Sequence, residues 1–164
     1  MTDLCRTLLD RELEQYDRDR DAAAAGNGRA RETGKPFLLE SHGSDFAVLL
    51  MHGYLSGPAE VKELAEFIHS KGFTVYVPRL PGHCTVPEDL LHRTWKEWYD
   101  ASRRGYAIVK ECAPHVIAAG FSMGAVLAFL NAERHPDDFC AVLSVSAPLK
   151  MKGAGLRLSP VFFR

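Results

Sequence analysis

Gly120-Phe121-Ser122-Met123-Gly124 places a serine between two glycines, a spacing suited to covalent catalysis. A serine hydroxyl becomes an effective nucleophile when a neighbour takes its proton and the backbone presents it to a substrate carbonyl. The flanking residues fit that task. HVIAA leads in with the apolar character of a buried strand, and AVLAFLNAE leads out as a helix. A strand-to-helix bend this sharp brings backbone close on both sides, so Gly120 and Gly124 supply the required lack of bulk. The bend also lifts the hydroxyl above the sheet and aims the helix N-terminus at the reacting carbonyl. The chemistry this pattern would support is acyl transfer through a covalent adduct on Ser122; the same glycine-bracketed turn could also merely join strand to helix.

Acyl transfer builds negative charge on the carbonyl oxygen, and two backbone N–H groups are expected to meet it. The residue after the nucleophile, Met123, offers one. The loop after an earlier apolar run offers the other: in His52-Gly53-Tyr54, glycine allows close approach and Tyr54 carries the candidate donor. The same three residues also suit an ordinary strand-end turn. His52 and His83 are expected to brace their loops and not to act as bases. Asp137 and Asp138, at a helix exit, read as solvated carboxylates, and the Trp95/Trp98/Tyr99 stripe reads as core. GRARETGK, from Gly28, has one residue too many between its glycines for a phosphate loop, and Pro36 stands where a magnesium-binding hydroxyl is needed.

The elements that must position these residues alternate. Residues 3–25 read as a helix with an apolar stripe at Leu4, Leu8, Leu9, Leu13 and Tyr16, and its docking onto the rest is left open. A polar linker follows to Pro36. Short apolar runs at 37–40, 47–52, 73–77, 115–121 and 139–145 read as strands. Between them, helical spacing appears after Pro58 as far as Lys71-Gly72, after a capping box at Thr94–Glu97, and over 123–134. Pro78, Pro81 and Pro87 mark a long loop. The order implies an α/β fold: a mostly parallel sheet with helices on both faces. The division expected is an N-terminal helix and linker over 1–35 and the core over 36–164.

A net charge of -1 gives no bulk field toward nucleic acid or anionic lipid, so no nucleic-acid partner is expected. No secretory signal and no membrane-spanning apolar run are found, and a cytoplasmic location is the expectation. The four cysteines form no CxxC pair and read as scattered reduced thiols, so no metal site is expected.

From about residue 37 to 149 the chain resembles the carboxylesterase and monoacylglycerol-lipase branch of the α/β-hydrolases. VLLMHGY, PAEVKELAEFIHSKG, FTVYVPRLPGH and AAGFSMGA carry the resemblance, in the family's order. It implies Ser122 as nucleophile, Tyr54 and Met123 as backbone oxyanion donors, a small-molecule ester or monoacylglycerol as substrate, and no cofactor. One departure is Cys84, where the family's loop often has a second glycine after Gly82-His83. A second concerns the rest of the triad. The family takes its acid and its histidine from later strands. The only histidine after Ser122 is His135, beside the helix-ending Pro136. The chain therefore reads as the N-terminal part of a longer enzyme, with a lid insertion beginning near residue 150. The sequence does not fix oligomeric state.

Overall fold

The computed structural model describes residues 1–25 and 32–150. Its strands are β1 (Phe37–Leu39), β2 (Phe46–Met51), β3 (Thr74–Val77), β4 (His115–Phe121) and β5 (Ala141–Val145). They form one sheet in the order β1-β3-β2-β4-β5. The pairs β3/β2, β2/β4 and β4/β5 are parallel, while β1 runs antiparallel to β3 with Phe37 opposite Val77. The short connection over 40–45 explains the exception. It cannot hold the crossover of a dozen or more residues that a parallel return needs.

Side chains alternate across β2 and divide the core. Val48 and Leu50 join Val75, Val77 and Ala119 on one face, under Val61 and Ala65. Val61 closes a 3-10 turn, Pro58–Val61, that leads into α2 (Lys62–Ser70). Ala47, Leu49 and Met51 face the other way, toward α4 (Trp95–Lys110) and α5 (Met123–Arg134). Two ends of these helices follow the expected chemistry. The Thr94/Glu97 capping box forms as read, with both reciprocal bonds present. Gly72, just past α2, takes φ +90°. Asn131, fully buried, donates to Ser102 Oγ and ties α5 to α4.

The first helix, α1 (Asp3–Ala25), packs on the body. Cys5, Tyr16 and Ala23 are buried, Glu12 pairs with Arg104 at 2.7 Å, and Asp19 pairs with Arg79. The proline-marked loop holds a short helix, α3 (Pro87–Leu91), which the sequence reading passed over because so few residues show no period. Of the linker read over 26–36, residues 26–31 lie outside the described residues, and Glu32–Gly34 forms a 3-10 turn. The proposed start of a lid beyond Lys150 also lies outside them. No described helix is long and apolar enough to cross a membrane.

Candidate active site

Ser122 ends β4 and opens α5 with φ +52° and ψ −117°, a conformation that L-residues seldom adopt. It is only partly buried, and its side chain makes no capping bond to its own helix. Its N–H donates to the Val145 carbonyl at 2.8 Å, at the end of β5. The two bracketing glycines sit against backbone. A Cβ on Gly120 would lie 2.1 Å from the carbonyl carbon of Gly124, and one on Gly124 would lie 2.1 Å from the Met51 carbonyl oxygen. The turn is therefore pressed directly onto the end of β2.

That contact brings the His52-Gly53-Tyr54 loop beside the serine. A Cβ on Gly53 would lie 3.4 Å from Ser122 Cβ. The Gly53–Tyr54 peptide is braced through its carbonyl, which lies 2.9 Å from His52 Nδ1 and 2.9 Å from Ser56 Oγ. In a trans peptide the N–H points opposite to the C=O, so this brace turns the Tyr54 N–H away from His52 and Ser56. Gly53 N–H donates to Glu60 Oε2 at 2.7 Å, and Ser56 Oγ lies 2.6 Å from the same oxygen. Met123 occupies the first helical position, where no intrahelical acceptor is available to its N–H. Glu60 and Ser56 were not singled out from sequence. Glu60 reads there as one polar position in an amphipathic stretch, and only the fold folds its carboxylate back onto Gly53.

His52 is fully buried and accepts from the Leu80 N–H through Nε2 at 3.1 Å. Nε2 is thus the unprotonated nitrogen, and Nδ1 carries the proton it donates to the Gly53 carbonyl. Burial lowers its pKa to about 3, assisted by nearby His83 and Arg79. His83 is buried too and holds Nδ1 3.2 Å from the Leu80 and Pro81 carbonyls; burial lowers its pKa. Both rings brace loops. Trp98 is core, and its ring also meets Tyr54 and His83 edge-on while Nε1 donates to the Pro81 carbonyl.

The remaining candidates lie apart. His135 bonds the Tyr99 hydroxyl at 2.9 Å, at the opposite end of α5 from Ser122. Twelve helical residues put about 18 Å between those ends, so His135 does not serve Ser122 as a base. Asp138, read as solvated, is instead held by Arg103 at 2.5 Å, and this partner keeps its carboxyl below the usual range against the opposing effect of burial. The structure supplies the arginine from α4, 35 positions away in sequence. Among the described residues no cluster of His, Cys, Asp or Glu could hold a metal ion.

The buried, neutral histidine pair is expected to make the fold acid-labile. Unfolded, each imidazole binds a proton near pH 6.5, whereas His52 in the fold stays neutral to about pH 3. The unfolded chain therefore binds more protons between those limits, and stability falls with falling pH. From pH 7 to pH 5 the loss expected from His52 alone is about 2 kcal/mol. Urea melts at the two pH values check this. A His52→Gln variant, less stable at pH 7, is expected to show a flatter dependence, and an unchanged slope would remove His52 as its source.

Comparison with known proteins identifies the family. Residues 43–162 match the family model Hydrolase_4, described as serine aminopeptidase, S33. The thermostable monoacylglycerol lipase of Bacillus sp. (strain H-257) is 35% identical over 113 residues, covering 69% of this chain and 44% of that protein. A carboxylesterase of Bacillus subtilis (strain 168) is 31% identical over 121 residues, covering 73% of this chain and 48% of that protein. Among solved structures, one reported with the metagenome-derived lipolytic enzymes LipS and LipT superposes with a TM-score of 0.73 at 27% identity, over 79% of this chain and 52% of its own. The Paleococcus ferrophilus monoacylglycerol lipase shares the fold with a TM-score of 0.60 at 22% identity, over 74% of this chain and 47% of that one. The chain thus spans about half the length of the relatives it matches. A family model fitting most of the chain, over a sheet that seats its bend against the end of β2, places this protein in the serine aminopeptidase S33 (Hydrolase_4) family of α/β-hydrolases.

Proposed function

We propose that this chain is the nucleophile-bearing part of a serine hydrolase that cleaves carboxylic esters, short- to medium-chain acyl esters or monoacylglycerols, through an acyl-enzyme on Ser122. The observation that carries the reading is the positive-φ bend at Ser122, held against the braced Gly53–Tyr54 peptide. In this reading Ser122 Oγ attacks the ester carbonyl, and the N–H groups of Tyr54 and Met123 receive the oxyanion. Each such donor is typically worth about 2.7–4 kcal/mol of barrier. The alcohol leaves, and water releases the acid from the serine. Gly120 and Gly124 let the turn close. No cofactor enters these steps.

The reading needs a general base and an acid. His52 and His83 are committed to backbone groups, and His135 is remote. We place the base and the acid after β5 in the sequence. Esters are favoured over the amides that the family description names because two relatives above 30% identity are a lipase and a carboxylesterase.

The same commitment of the nearby histidines favours a second reading, an α/β-hydrolase-like binding protein that uses the site without turnover. A fluorophosphonate probe separates the two. The full-length natural product is expected to be labelled at Ser122, with labelling lost in Ser122→Ala. A folded full-length protein that takes up no label would support binding. Profiling with p-nitrophenyl esters, amides and alcohol acceptors then ranks esterase, peptidase and acyltransferase activity.

A further inference from the structure

Two cysteines that lie 107 positions apart in sequence meet in the fold, Cys5 Sγ and Cys112 Sγ being 3.3 Å apart. The contact sits where the first turn of α1 rests on the residues just past α4. Polar contacts hold the two segments in register there. Thr2 Oγ1 accepts from the Cys5 N–H at 3.0 Å and donates to Glu111 Oε2 at 3.2 Å, one residue before Cys112. The amino group of Met1 pairs with Glu40 beside them. Elsewhere, Cys84 Sγ lies 3.5 Å from the Ser56 carbonyl, and Cys140 Sγ lies 3.3 Å from the Val116 carbonyl.

We infer that Cys5 and Cys112 are a redox site at which a low-molecular-weight disulfide of the glutathione type installs a reversible cross-link between α1 and the end of α4. Cys5 is fully buried and Cys112 only partly, which sets the order of events. Cys112 thiolate attacks one sulfur of oxidised glutathione, forming a mixed disulfide and expelling one glutathione thiolate. Cys5 thiolate then attacks Cys112 Sγ, forming the internal disulfide and expelling the second. The two protons released by the cysteines end on the two glutathiones, so two protein thiols are oxidised and one small disulfide is reduced. Burial pushes both thiols up, Cys112 to about 12. That slows formation. It also leaves the reduced pair without the thiolate stabilisation that makes a disulfide easy to reduce, so the cross-link persists once made. Because α1 also reaches Arg79 through Asp19, and Arg79 donates to the His83 carbonyl, the cross-link fixes a helix that touches the loop flanking Tyr54.

The test is incubation of the full-length natural product with excess oxidised glutathione at mildly alkaline pH, followed by denaturation, alkylation and peptide mapping. The expected result is a peptide containing Cys5 joined to one containing Cys112, both unalkylated, in a monomer that has lost two hydrogens. The melting midpoint is expected to rise by roughly 5 °C or more and to return with reductant. Cys5→Ser is expected to accumulate a lasting glutathione adduct on Cys112, and Cys112→Ser to leave Cys5 unmodified while folded. Alkylation of both cysteines in the oxidised wild-type chain, or a stable adduct on Cys112 with Cys5 still free, overturns the inference without recourse to any variant. So does a cross-link that forms only between chains.

Discussion

Gly124→Ala is expected to cost about 4 kcal/mol or more, enough to leave the chain largely unfolded at ordinary temperature. The new methyl carbon would lie 2.1 Å from the Met51 carbonyl oxygen and 2.7 Å from that of His52. Neither atom belongs to a side chain that can swing aside. Met51 is paired with Gly120 at the end of the β2/β4 ladder, and His52 is fully buried with both ring nitrogens engaged. Relief requires α5 to lift off the end of β2, which would open the contacts of Leu127 and Ala128 with the core behind it. Overpacking that a side-chain shift can absorb costs about 1–3 kcal/mol, and this backbone clash exceeds it. Urea denaturation followed by circular dichroism reads the loss. A midpoint near that of wild type would mean that the bend does not rest on β2.

Ser122→Ala is expected to lower ester turnover by the full-length natural product by about 10⁶-fold, the size of effect seen when a hydrolase loses its nucleophile. KM should move little, because the hydroxyl acts in bond formation more than in substrate capture. The expectation stands on the proposed mechanism, and turnover of p-nitrophenyl butyrate measures it. Stability should move the other way with a different substitution. A non-glycine residue at φ +52° is strained by about 1 kcal/mol. Ser122→Gly therefore should melt higher than wild type while remaining inactive. An inactive Ser122→Gly that is no more stable would show that the serine backbone stores no strain. Ser122→Ala retaining turnover within tenfold would remove Ser122 from the chemistry altogether.

What could be read in the sequence was the local part of this arrangement. Gly120 and Gly124 announce a bend because no other residue type tolerates backbone so near. AVLLMH and HVIAA announce buried parallel strands because neither shows a polar face. The capping box at Thr94 fixes where α4 starts, and its two bonds form as the spacing requires. What could not be read depends on distance through the fold. The salt bridge from Asp19 to Arg79 and the meeting of Cys5 with Cys112 join segments that no periodicity links. The carboxylate of Glu60 is only seven positions from Gly53, yet the bond to its N–H depends on how the Pro58–Val61 turn closes. The neighbour of β1 was likewise hidden: the short connection over 40–45 sets its direction, but three apolar residues do not say that it pairs with β3.

The N–H of Ser122 rests on the carbonyl of Val145, the last residue of the outermost described strand on that side of the sheet. A marginal strand thus acts as the anvil for the bend. A shift of β5 along the sheet would carry that carbonyl with it, and the Ser122 peptide would have to follow or lose the bond. The position of Ser122 is therefore coupled to the flank of the sheet as well as to the end of β2.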